Sequence, residues 1–149
     1  GTLKKYDIEG HSDNRTGTAT GYFVGGNLSL LTASLGSDSQ LDTTGKLIFL
    51  EEIGEYKYHI DRQLQSLKRA GYFKSCAGVI IGDMSQIKTN DPNWGQSIES
   101  LILEVLNDTN VPVAFGFPAG HELENRALYF GRSVQLQVTK SKTTVLFMN

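Results

Sequence analysis

The stretch Gly45 to Arg62, GKLIFLEEIGEYKYHIDR, constrains the fold more than any other part of the chain. Leu47, Phe49 and Glu51 fall on one face of a strand, and Ile48, Leu50 and Glu52 on the other. Both faces stay apolar until the acids, as in a sheet covered on both sides. The acids therefore arrive at the strand's carboxyl end, where α/β sheets place ligands and chemistry. After Gly54 a helix is expected over Tyr56 to Ala70, with Ile60, Leu64 and Leu67 as its buried face. Lys68 and Arg69 suit its carboxyl end, and Gly71 stops it. Cys76 to Ile81 (CAGVII) reads as a second buried strand. Strand, helix and strand then form a right-handed parallel unit.

The remaining elements arrange themselves around this unit. Residues 1 to 20 are polar and poorly patterned, and read as a linker or lead-in segment. Gly21 to Val24 reads as a short strand, broken by Gly25-Gly26. Asn27 is a suitable N-cap for a helix carrying Leu28, Leu31 and Leu35, closed by Gly36. Residues 37 to 44 and Asp83 to Trp94 read as polar loops, with Trp94 as an anchor holding the second one down. Gln96 to Asn107 is a second clear amphipathic helix, and Val111 to Phe115 a third short buried strand. Leu128 to Phe130, Val134 to Val138 and Thr143 to Phe147 read as closing strands, with Lys140 to Lys142 as a hairpin turn.

Composition limits the function classes. A chain of 149 residues supports one domain with a real core. A net charge of −2 gives no reason to expect a nucleic-acid partner. No run of eighteen apolar residues suggests a membrane span. The single Cys76 excludes an internal disulfide framework and reads as a buried structural thiol. Cys/His metal spacing is absent. A start at Gly1 without Met is expected of a piece of a longer protein.

Two features could meet in space: the acids at 51 to 55, and His121 at the end of the turn GFPAGH. Each follows an apolar run that reads as a neighbouring strand. A carboxylate that accepts from Nδ1–H of a histidine fixes its tautomer, giving the base half of a nucleophilic site. The neighbours His11, Ser12 and Asp13 read as a solvated loop, because triad members are gathered by the fold. His59, on the helix after the acids, reads as a surface or packed residue. No nucleophile is evident: there is no GxSxG elbow, and Ser29, Ser34 and Ser37 have no local base.

Four blocks in register, GGNLSLL (Gly25 to Leu31), LIFLEEIGEYKYHIDRQLQSLKRAG (Leu47 to Gly71), GVIIG (Gly78 to Gly82) and PVAFGFPAGHELENRALYFG (Pro112 to Gly131), closely resemble the LD-carboxypeptidases. The resemblance runs from about Gly21 to Gly131. It implies an α/β C-terminal domain of the swivelling β/β/α type over residues 21 to 149, with a mainly parallel central sheet, flanking helices and a C-terminal β-hairpin. Residues 1 to 20 would link it to an absent N-terminal domain carrying a serine nucleophile.

The resemblance further implies that His121 is the base and Glu51 its orienter. Glu52 stands where the family usually has Asp and should point to the other side of the strand. Glu55 would be structural, and Gly26 and Asn27 would shape the substrate cleft. The implied activity is removal of terminal D-alanine from cytoplasmic muropeptides in cell-wall recycling, without metal or organic cofactor, commonly by a homodimer. The competing readings are a microcin C-type immunity peptidase and a noncatalytic binding or dimerisation module. That last reading predicts that Glu51 and His121 lie apart, or that their positions are filled by packing.

Overall fold

The computed structural model describes residues 4–89 and 95–148. Lys4–Glu9 forms β1, Gly17–Asn27 β2, Leu28–Ala33 α1, Leu47–Ile53 β3, Lys57–Arg69 α2 and Gly78–Ser85 β4. Ile98–Val105 forms α3, Val113–Ala114 β5, Ser133–Val138 β6 and Lys142–Phe147 β7. The seven strands make one sheet in the order β1-β7-β6-β2-β3-β4-β5. Pairing is parallel from β2 through β5 and antiparallel from β2 through β6 and β7 to β1. The α/β class, flanking helices and C-terminal hairpin are as expected. The sheet as a whole is mixed, with parallel pairing confined to one half.

β2 joins the two halves. Its first six residues, Gly17 to Tyr22, pair antiparallel with β6, and Phe23 to Asn27 pair parallel with β3. The strand runs through Gly25-Gly26 instead of breaking there. Glycine is needed at 25, because a Cβ would sit 2.1 Å from the Phe49 carbonyl oxygen of β3. Residues 4–9 and 17–20 are likewise strand, where the sequence suggested a linker. Their polarity misled because they show one face to water: of β1 only Ile8 is buried, and Tyr6 and Ala19 pack partly against the core.

The core has two parts. On one face of the sheet, Ile48, Leu50, Val79, Ile81, Val113 and Phe115 pack against Leu28 and Leu31 of α1, Leu64 and Leu67 of α2, and Leu101 and Val105 of α3. Each fully buried Leu or Ile contributes about 1.5–3 kcal/mol. On the other face the sheet packs against itself. Phe23, Leu47, Phe49, Ile80 and Ala114 share a cluster with Val134, Leu136, Val145 and Phe147. The two ends of the sheet approach one another. Arg15, in the β1–β2 connection, exchanges backbone hydrogen bonds with Val113 of β5 at 3.0 and 2.9 Å. The Tyr6 ring of β1 meets Phe117 edge-on at 5.7 Å.

Other boundaries move for local reasons. Leu128 to Phe130 is not a strand. Phe130 instead stacks on Phe23 with ring centroids 5.1 Å apart. Asp83 to Ser85 belongs to β4 and not to the following loop. Trp94 lies outside the described residues. Cys76 is buried just before β4, as expected of a structural thiol.

Burial pushes the Cys76 thiol from an ordinary value of 9.0 up to about 11. The thiolate is the reactive form, so at pH 8 the native protein should react with a chromogenic disulfide reagent at least about a hundredfold more slowly than a free thiol. Unfolding in guanidinium should restore the free-thiol rate. The folded pKa exceeds the unfolded one, so this group's contribution to stability should fall as pH rises from about 9 to about 11. Rapid labelling of native protein at pH 8 would contradict the burial.

Candidate functional site

β3 ends as its alternation requires, with Glu51 and Glu52 on opposite faces. Glu51 continues the row of Leu47 and Phe49. Its Oε2 accepts a hydrogen bond from Nδ1 of His121 at 2.8 Å, across seventy residues of sequence. The Glu51 side chain is 9% exposed, and that of His121 43%. A carboxylate only accepts, so the ring donates from Nδ1 and Nε2 is left as the acceptor of a neutral imidazole. Nε2 has no hydrogen-bond partner among the described residues.

His121 reaches this place by crossing a strand. β5 is two positions from β3 in the sheet, with β4 between them. The segment after β5 passes over the end of β4. Phe117 N–H donates to Ile81 O at 3.0 Å, and Asp83 N–H donates to Ala119 O at 2.9 Å. Gly82 lies under the crossing. A Cβ there would stand 2.4 Å from both the Ala119 carbonyl oxygen and the Phe49 ring. Beyond the crossing, Asn125 Nδ2 donates to Gly120 O at 3.0 Å, and Arg126 N–H to Pro118 O at 2.8 Å.

Glu52 faces the helix layer and is 2% exposed. It accepts from Asn27 Nδ2, Ser29 N–H, Ser29 Oγ and Ile53 N–H at 2.9, 2.9, 2.6 and 2.9 Å. Asn27 caps α1 by accepting from Leu30 N–H at 3.1 Å, and it sits opposite Glu51 in the β2–β3 register. Gly26 precedes it, with no atom within 4 Å of where its Cβ would be. Ser29 thus has a carboxylate beside it that the sequence did not reveal. Its hydroxyl is occupied on both sides, since it also accepts from Gln63 Nε2 at 2.9 Å.

Glu55 holds His59 Nδ1 at 2.9 Å on α2, a partly exposed pair. His11 Nδ1 accepts from Asp13 N–H at 3.1 Å in its own loop, apart from the Glu51–His121 pair. Among the described residues no group of three His, Cys, Asp or Glu side chains is arranged to hold a metal.

Three polar residues beside His121 carry no sequence signal. Ser85 Oγ donates to Glu122 Oε1 at 2.5 Å, and Glu122 N–H donates to Asp83 Oδ2 at 3.3 Å. Burial, with the Glu122 carboxylate adding to it, pushes the Asp83 carboxyl above the usual range. These contacts tie the histidine's own segment to β4.

The profile of the LD-carboxypeptidase C-terminal domain matches residues 20–136. A probable murein peptide carboxypeptidase of Bacillus subtilis is 36% identical over 130 residues, covering 87% of this chain and 40% of that protein. The chain spans about 40% of the length of the curated relatives it matches. Among solved structures, the muramoyltetrapeptide carboxypeptidase from Oxalobacter formigenes superposes with a TM-score of 0.89 at 24% identity, over 99% of this chain and 50% of that one. The microcin C7 self-immunity protein MccF superposes with a TM-score of 0.76 at 22% identity, over 87% of this chain and 39% of that one. Both likenesses are of fold.

Gly82→Ala tests the crossing. The added methyl meets backbone, so the loop has to shift, at a cost of about 1–3 kcal/mol. Chemical denaturation should show that loss. The downfield Nδ1 proton of His121 should weaken or vanish in the NMR spectrum of the folded variant. A wild-type spectrum would show that the loop tolerates a side chain there.

Proposed function

Since this chain belongs to the LD-carboxypeptidase family, as its C-terminal domain, we propose that it supplies the base half of a serine peptidase site. The observation that supports this most directly is the buried Glu51 carboxylate bonded to Nδ1 of a half-exposed His121. No serine, threonine or cysteine among the described residues hydrogen-bonds that histidine. The nucleophile is a serine of an N-terminal domain in the parent protein.

The substrate class is a cytoplasmic muropeptide ending in D-alanine. The serine hydroxyl attacks the carbonyl of the L-configured residue before the terminal D-alanine. His121 Nε2 takes the hydroxyl proton as the C–O bond forms. The same nitrogen returns the proton to the leaving amine as the C–N bond breaks. Water then attacks the ester carbonyl, giving a proton to Nε2, and Nε2 returns that proton to the serine oxygen as the ester C–O bond breaks. Glu51 holds the ring in the tautomer that leaves Nε2 free and offsets the charge that develops on it. Gly26 and Asn27, beside Glu51 at the end of β2, border the cleft.

The test is D-alanine release from a muramoyl tetrapeptide. In the full-length parent, Glu51→Gln and His121→Ala should each lower kcat by about 10³–10⁴-fold, as expected when an orienter or base is lost. This chain alone should release no D-alanine. Turnover by the isolated chain would place the nucleophile within it, and full activity of Glu51→Gln would remove the orienter.

A further inference from the structure

We infer that Glu52, besides capping α1, is a positioning residue for the Glu51–His121 pair, acting through the backbone at the tip of β3. The inference rests on the proposed reading of that pair. Its basis is a break in the sheet. β3 and β4 pair in register from Leu47 with Gly78 to Leu50 with Ile81, and pairing resumes only at Glu52 with Met84. On β4, Gly82 and Asp83 fall in the gap opposite the one residue Glu51. Glu51 therefore has no register partner on β4. Its neighbour on the other side is Asn27, the last residue of β2.

Glu52 holds the strand directly beyond that bulge, its side chain adding to the pairing of Glu52 with Met84 and of Ile53 with Ser85. Oε1 accepts from Asn27 Nδ2 and from Ile53 N–H of its own strand. Oε2 accepts from the backbone and hydroxyl of Ser29, and that hydroxyl accepts in turn from Gln63 of α2. One carboxylate thus ties the tip of β3 to the end of β2, the first turn of α1 and the body of α2. All four of its partners act as donors to it. Glutamine has the same shape but only one acceptor oxygen. With its NH₂ toward Asn27 and Ile53 it faces two N–H donors, and turned toward Ser29 it faces one N–H and a hydroxyl that has to give up its donation. With the residue nearly fully buried, water does not readily make up the loss. The strand tip then relaxes, and Glu51, the adjacent residue, turns with it. A misplacement of about 1 Å at a reacting group costs up to about a hundredfold in rate.

The test uses the full-length parent, with wild type and Glu51→Gln measured beside Glu52→Gln. Glu52→Gln should lower kcat for D-alanine release about tenfold and leave KM within about twofold. In the folded variant, judged by near-UV circular dichroism, the downfield Nδ1 proton of His121 should shift or broaden. A merely structural role would lower stability without moving that proton. Wild-type kcat, or a lowered kcat with an unmoved proton, would overturn the inference. If Glu52→Gln does not fold, Ser29→Ala removes one of the four contacts. It should lower kcat about threefold with the same change in the proton, and wild-type behaviour in both would overturn the inference. An active Glu51→Gln defeats the proposed function itself. An inactive Glu51→Gln beside a fully active Glu52→Gln defeats only this inference.

Discussion

The site depends on one close passage of backbone over backbone. His121 follows a strand two positions away from the one that carries Glu51, so its segment has to cross β4. The crossing is near enough for Asp83 N–H to bond Ala119 O at 2.9 Å. At that separation no side chain fits at Gly82. The hydrogen bonds on either side of the glycine satisfy polar groups that would otherwise be covered without partners. The absence of a side chain at one residue and the presence of an imidazole at another are thus parts of the same arrangement.

The alternation of a strand then gives two adjacent acids different work. Glu51 points toward the face where the sheet curls on itself, and there it meets one histidine. Glu52 points toward the helices and meets four donors. Burying a carboxylate is costly unless its oxygens are bonded. Glu52 meets that condition within the scaffold, between the end of β2 and the start of α1. Glu51 meets it with an imidazole that is itself partly in solvent. One is anchored on all sides, while the other has a single partner that can also face a substrate.

The parts of the fold legible in the sequence are those whose burial is two-sided or strongly periodic. β3 and β4 read as apolar runs, and α2 and α3 as stripes. From them the carboxyl end of the sheet, and with it the acids, could be located. That the acids at 51 to 55 could meet His121 followed from two apolar runs ending in chemistry, with no need to know the crossing. The choice of Glu51 among them came from the resemblance to the LD-carboxypeptidases. β1 and the first half of β2 were illegible because they are polar on their outer face, and their inward residues (Tyr6, Ile8, Ala19) are too few to mark a period. Phe130 looked like strand because it is aromatic and apolar. It serves instead to cover Phe23 from a loop, a role with no period to detect. Asp83, Ser85 and Glu122 were missed because nothing local distinguishes a polar residue that bonds across a crossing from one in a solvated loop. Glu52 was assigned to the correct face, but its four partners lie on three elements and no spacing in the sequence gathers them.

The contrast in exposure between the two members of the pair bears on how such a half-site would work. An orienter acts by geometry, so its position has to be set before the reacting groups meet. Here the acid is enclosed by the sheet while the base keeps one edge open. On the proposed function, folding of this domain alone fixes the Nδ1 contact and the tautomer. Docking of the serine then has to align only one further bond, at Nε2. The ordering cost of the acid and its histidine falls on the folding of one domain and is not added to the association of two. A module that brought both groups together only on docking would have to order them in that same step. The bulge leaves Glu51 without a register partner on β4, and the pairing that resumes at Glu52 with Met84, together with the four-donor grip on Glu52, holds the strand tip in this geometry.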